Sequence, residues 1–97
     1  MINFDISGKV AVITGGAGIL CTTMAKELAK FGVRVAVLDI AEGRAQEVAA
    51  DIVANGGDAI GVGVDVLNLE SLAHARDIVL QKFGRVVILI NGAGGNK

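Results

Sequence analysis

Three glycines in four residues, Gly15, Gly16 and Gly18, separate an apolar run from a helix-like segment in the stretch VITGGAGILCTTMAKEL. Glycine lets a backbone turn sharply and approach an anion with no Cβ in the way. A helix N-terminus adds unpaired N–H groups and about half a positive charge. The chemistry implied is the holding of a phosphate. Gly16, Gly18 and Cys21 fit G-x-G-x-x-G/A, with cysteine in the last place. Asp39 follows 24 positions after Gly15, at the end of the next apolar run. That is near the roughly 20-residue spacing of a carboxylate that accepts from the adenosine ribose hydroxyls. Turn and carboxylate together point to a dinucleotide. A Walker A loop is excluded, because no Gly-Lys-Ser/Thr follows the turn.

The last glycine of such a turn permits close packing of helix on strand. Cys21 is read there as a small apolar residue that displaces the helix slightly and leaves phosphate binding intact. The competing reading, a reactive thiol at a helix N-terminus, lacks a basic or histidine partner nearby in sequence.

The elements that must position these residues are legible. Residues 9–14, 33–39, 59–65 and 86–91 are Val- and Ile-rich, with little polar alternation. Strands buried on both faces of a parallel sheet read this way; glycine interrupts the third. Three helical segments lie between them. Leu20, Met24, Leu28 and Phe31 form the predicted core face of the first, ended by Gly32. Ala45, Val48, Ala49 and Ile52 form that of the second, and Leu72, Val79 and Phe83 that of the third. Asn68 is the predicted N-cap of the third helix and Gly84 its end. Ser71 is read as a first-turn or capping residue, and His74 as solvated.

Right-handed crossovers then predict an α/β fold: a Rossmann-type doubly wound parallel sheet, first half, strand order 3-2-1-4. The first two helices are expected on one face and the third on the other. Residues 1–97 are read as the N-terminal portion of one dinucleotide-binding domain, truncated. The fourth strand is expected to present an apolar edge and one sheet face to be undercovered.

Composition narrows the classes. Apolar residues are 53% of the 97, and the net charge is −1, with 9 basic and 10 acidic residues mixed along the chain. That argues against nucleic acid or an anionic membrane as the partner. A lone cysteine forms no internal disulfide, and the start, MINFDISGK, has no apolar signal core, so a cytoplasmic protein is the expectation. No metal-ligand spacing is present.

TGGAGIL after the first strand, Asp39 after the second, Asp65–Val66 after the third and NGAGG from Asn91 after the fourth resemble a classical short-chain dehydrogenase/reductase, in order and over the whole chain. The forms GGAGIL and NGAGGN look most like the fructuronate reductase (mannonate oxidoreductase)-like subgroup. The resemblance implies NAD as cofactor, a carbonyl or secondary alcohol as small-molecule substrate, and a homo-oligomer. It implies that Gly15, Gly16, Gly18, Ile19 and Leu20 hold the pyrophosphate, and that Asp39, with Ile40 beside it, takes the ribose. Asp65 would accept from the adenine amino group, with the Val66 backbone alongside. Asn91 would stabilise the central sheet, and Ala93 and Gly94 would border the cofactor ribose. Asp65 has a second reading, a turn hydrogen bond that ends its strand.

The chain departs from the family where it usually carries glycine, at Ile19 and Cys21, and Gly92 replaces the second asparagine of the commoner NNAG. Family chemistry needs a Tyr and a Lys four residues apart, with a Ser; the Tyr moves a proton to or from the substrate oxygen. The chain has no tyrosine, so no catalytic residue is assigned and the chain alone is expected to be inactive. Arg44, the nearest cation after Asp39, is expected too far along the second helix to reach a ribose phosphate, so NAD is favoured over NADP. A non-catalytic nucleotide-binding module is the alternative. A methyltransferase is a third reading, disfavoured by NGAGG.

Overall fold

A computed structural model describes residues 6–15, 17–86 and 88–92. Element order is β1 (Val10–Thr14), α1 (Ile19–Lys30), β2 (Arg34–Asp39), α2 (Glu42–Ala54), β3 (Asp58–Gly63), α3 (Leu69–Phe83) and β4 (Ile88–Asn91). The strands form one parallel sheet in the order β3-β2-β1-β4, the order predicted. β1 lies between β2 and β4, with Thr14 opposite both Leu38 and Asn91.

The strands are apolar on both faces because both faces carry helices. Ala11, Ile13, Val35 and Val37 pack with Ala25 of α1 and with Ala45, Val48, Ala49 and Ile52 of α2. Val10, Val12, Ala36 and Leu38 face Ala75, Val79 and Phe83 of α3. Both helix-to-face assignments follow the sequence pattern, as does the α2 core face. Asn68 caps α3, its side chain accepting from the Ser71 N–H at 3.1 Å. His74 is exposed.

Two expectations need correction. The third strand ends at Gly63, not at Asp65. Its partner β2 ends at Asp39, opposite Gly63, and the Val64 N–H to Asp39 C=O bond at 3.0 Å closes the ladder. Asp65 therefore stands free of the sheet on the loop that follows. The other strands begin one or two residues later than predicted, by the same dependence on a pairing partner.

The second correction concerns α1. Leu20 and Phe31 are exposed at 82% and 65%, and Met24 is also exposed. The helix instead packs through Cys21, Ala25, Leu28 and Ala29, roughly a quarter turn round. Small side chains win that face because they let α1 lie close to the sheet. Leu20, Met24 and Phe31 are left on a flank that no described element covers. Leu89 of β4 is likewise 70% exposed, on the same sheet face as Val12. The undercovered face expected from the sequence is thus present beside β4.

Glycine in β3 has a specific job. A Cβ at Gly61 would meet the Ala45 carbonyl and lie 2.6 Å from the Gln46 nitrogen. α2 is seated against the bare backbone of β3. What reads in sequence as an interrupted strand is a helix-to-strand contact too close for any side chain.

Candidate functional site

The C-terminal ends of β1, β2 and β4 and the loop after β3 open on one side of the sheet. The chain turns from β1 into α1 through Gly15, whose φ is +67°, and Gly18, the N-cap of α1. The Gly18 N–H donates to the Gly15 carbonyl at 3.2 Å, closing the turn. The first i→i−4 bond of α1 runs from the Thr22 N–H to the Gly18 carbonyl at 2.8 Å. The N–H groups of Ile19, Leu20 and Cys21 precede it, so helix geometry gives them no acceptor within the helix. The N-cap, Gly18, has no side chain to cap them, and the first turn carries no acidic residue. The positive end of the dipole is left for a ligand anion.

Asp39 closes β2 beside this turn. Its Oδ2 accepts from the Ala17 N–H at 3.1 Å and its Oδ1 from the Ala41 N–H at 2.9 Å. Gly15, Asp39, Ile40, Asp65, Val66 and Leu67 line one cleft of about 290 Å³. Of its apolar walls, Ile40, Val66 and Leu67 are exposed to solvent and Val64 is buried. The structure thus brings together the turn, the β2 carboxylate and the residues after β3 that were picked out from sequence. Gly16, Ala93 and Gly94 lie outside the described residues. Asp65 does make the turn bond of its second reading: its Oδ1 accepts from the Leu67 N–H at 3.0 Å. Ser71 accepts from the Asp65 N–H at 2.9 Å, fixing the loop onto α3.

Asn91 ties β4 to β1: its Oδ1 accepts from the Thr14 hydroxyl at 2.8 Å, and the next residue's N–H, that of Gly92, donates to the Thr14 carbonyl at 2.9 Å. Cys21 meets this corner. A Cβ on Gly92 would collide with the Cys21 Sγ and sit 3.1 Å from the Thr14 carbonyl. Gly92, with no side chain, supplies the room for the thiol, so two departures from the family pattern occupy one contact. Gly92→Ala should therefore cost about 1–3 kcal/mol of stability. In a Cys21→Ala background, which removes the sulfur and leaves a Cβ at an ordinary 3.7 Å, most of that cost should vanish. A double-mutant cycle by urea denaturation checks this; additive effects would mean that the contact carries no coupling.

Arg44 meets the glycine turn. It lies in the first turn of α2, yet its Nη2 donates to the Ala17 carbonyl at 3.2 Å. The guanidinium reaches across to the glycine turn, and the Ala17 peptide groups are held from both sides, N–H by Asp39 and C=O by Arg44. Position along a helix does not reveal the reach of a long side chain, so this contact with the turn was not legible from a cation five places after Asp39.

A larger groove of about 600 Å³ lies elsewhere, between α1 and α2, lined in part by Thr23, Lys26, Asp51 and Gly57. Lys26 and Asp51 face each other across it at 3.6 Å. It is lined by Gly56 and Gly57 of the turn that ends α2, and not by the turn that precedes α1. Among the described residues no helix is long and apolar enough to cross a membrane.

The short chain dehydrogenase family model matches residues 9–97. An oxidoreductase named UxuB, uncharacterised, from Bacillus subtilis is 50% identical over 92 residues, covering 95% of this chain and 33% of the relative. A Haemophilus influenza protein provisionally assigned as a D-mannonate oxidoreductase, solved with NAD bound, superposes with a TM-score of 0.91 at 40% identity; the match covers 96% of this chain and 33% of that one. A 3-ketoacyl-(acyl-carrier-protein) reductase from Brucella melitensis, complexed with NADH, gives 0.79 at 38% identity, over 87% of this chain and 33% of that one. The chain thus spans about a third of the length of the curated relatives it matches. With the parallel sheet, the glycine turn and the family match in agreement, the chain belongs to the short-chain dehydrogenase family.

Proposed function

We propose that this chain is the NAD-binding part of an oxidoreductase that acts on a carbonyl or secondary alcohol, with a sugar acid as the favoured substrate class. One observation carries the cofactor reading. The uncapped N-terminus of α1 and the Asp39 carboxylate flank one turn, at the point where the strand order reverses between β1 and β4. Open α/β sheets bind ligands at that switch point. Support for the substrate class comes from the Haemophilus neighbour.

In this reading Gly15, Gly16, Gly18, Ile19 and Leu20 hold the pyrophosphate, and Asp39 and Ile40 take the adenosine ribose. Asp65 and Val66 border the adenine, Asn91 stabilises the central sheet, and Ala93 and Gly94 border the cofactor ribose. Bound NAD supplies hydride acceptance, or donation in its reduced form. The chain's own groups bind and orient it. No tyrosine exists here to move the substrate proton, so the 97-residue chain alone should turn over no substrate. The uncovered flank beside β4 supports assembly with further protein, a homo-oligomer being the favoured form.

Asp39 also sets the cofactor choice. A 2′-phosphate beside its carboxylate would meet like charge, about 4 kcal/mol per pair at 4 Å and an effective dielectric near 20. Even part of that gives about tenfold or greater preference for NAD over NADP. Titration of the protein with both dinucleotides tests the reading. Preference for NADP, or binding of neither, would refute it.

A further inference from the structure

We propose that Ser71 is a positioning residue for base selection. It holds the Asp65 carboxylate in one orientation, in which that carboxylate accepts from the exocyclic amino group of an adenine and rejects a base that carries a carbonyl there. The inference rests on the dinucleotide reading above and deepens it on the adenine side.

Asp65 is held by its N–H, its C=O and its carboxylate. The N–H donates to Ser71 Oγ at 2.9 Å, the C=O accepts from the Asn68 N–H at 3.0 Å, and Oδ1 accepts from the Leu67 N–H at 3.0 Å. Asn68 Oδ1 in turn accepts from the Ser71 N–H at 3.1 Å. Asp65, Asn68 and Ser71 thus close a ring of hydrogen bonds between the loop and the first turn of α3. That helix is seated on the sheet through Ala75, Val79 and Phe83, all buried. On the other side of Asp65, Val64 is buried and its N–H donates to the Asp39 C=O at 3.0 Å. The chain is therefore pinned on both sides of Asp65, once to β2 and once to α3.

In a capping box the third helical residue reaches back to the N–H of the N-cap. Here the Asn68 N–H goes to the Asp65 C=O, and the Ser71 hydroxyl reaches past the N-cap to Asp65 itself. Its bond serves the loop and not the helix. Asp65, Val66 and Leu67 are all exposed, so hydrogen bonds and not packing fix this loop. A carboxylate has two oxygens and only accepts. The Leu67 bond occupies Oδ1 and sets the orientation of the group, and the second oxygen is the acceptor offered to the base. An amino group in that place donates to it; a carbonyl meets it lone pair to lone pair. Such discrimination needs a fixed acceptor, because a loop free to turn swings the carboxylate away from the wrong base and loses the penalty.

The test is a set of dissociation constants for NAD and for nicotinamide hypoxanthine dinucleotide, in which a carbonyl oxygen replaces the adenine amino group. They are measured calorimetrically on wild type, Ser71→Ala, Ser71→Thr, Asp65→Ala and the double variant Asp65→Ala/Ser71→Ala; circular dichroism verifies folding. Wild type should prefer NAD at least about tenfold, and Ser71→Ala should cut that preference about fivefold. Ser71→Thr keeps the oxygen and should hold the preference within about twofold of wild type. In Asp65→Ala the preference should be gone, and adding Ser71→Ala should change it no further. A merely structural cap would lower both affinities together and leave their ratio alone. If Ser71→Ala leaves the ratio unchanged while Asp65→Ala abolishes it, the inference is wrong and Asp65 keeps its place beside the adenine. If Ser71→Ala lowers the ratio equally with and without Asp65, Ser71 does not act through that carboxylate and the inference is again wrong. If wild type binds NAD without distinguishing the two bases, the adenine assignment of Asp65 falls and the inference with it. If wild type binds neither dinucleotide, the dinucleotide reading falls as well.

Discussion

Gly61→Val should be the most destabilising single substitution in the sheet, lowering stability by about 3 kcal/mol or more. The first side-chain atom would strike the Ala45 carbonyl and crowd the Gln46 nitrogen, and these are backbone atoms of α2. Flexible side chains can swing away from a new methyl group; a helix backbone must move as a body. Moving α2 outward would loosen Ala45, Val48, Ala49 and Ile52 from the sheet. A cost of this size is a large share of the 5–15 kcal/mol typical of a domain. It would lower the melting temperature by about 10 °C or more in a chain this small. Gly43→Ala is the control. That position is in the same helix with open space around it, and alanine there should stabilise by up to about 1 kcal/mol. Thermal melts of both variants check the pair. A Gly61→Val protein that melts with wild type would mean that α2 is not seated on β3 as described.

Gly15→Val should weaken dinucleotide binding about 100-fold. Gly15 sits at φ +67°, where a β-branched residue is strongly disfavoured, and lines the cleft with Asp39 and Asp65. A valine there would push the turn out of the conformation that presents the first-turn N–H groups of α1. Loss of one or two hydrogen bonds to a charged phosphate, at about 1.5–3 kcal/mol each, gives that factor. Gly15→Asn separates fold from site, because asparagine tolerates a left-handed backbone. Its melting temperature should stay near that of wild type while its affinity falls less than that of valine. A valine variant with affinity within threefold of wild type would remove Gly15 from the site.

The sheet order and the placement of helices on its faces were legible because buried parallel strands are continuous apolar runs, and right-handed crossovers leave few topologies. The α1 packing face was not. Leu20, Met24 and Phe31 have the period of a core stripe, but Ala25 and Cys21 allow the closer approach, and period alone does not rank two faces. Gly61 was visible as an oddity and not as a contact, since its obstacle, the Ala45 carbonyl, belongs to another element. The contact of Cys21 with Gly92 joins residues distant in sequence and is set by where β4 ends. Glycine turn and Asp39 were legible as types at a spacing, and Asp65 through the family resemblance. The arm of Arg44 was not, because side-chain reach depends on how α2 sits over the turn.

The central claim is the location of the cofactor. Backbone amide resonances of the 97-residue chain, followed as NAD is added, test it most directly. The account predicts saturable shifts at Gly15, Ala17, Ile19, Leu20, Ala41 and Val66, with residues of the α1/α2 groove such as Thr23, Asp51 and Gly57 unmoved. Shifts confined to that larger groove, with the glycine turn silent, would contradict it.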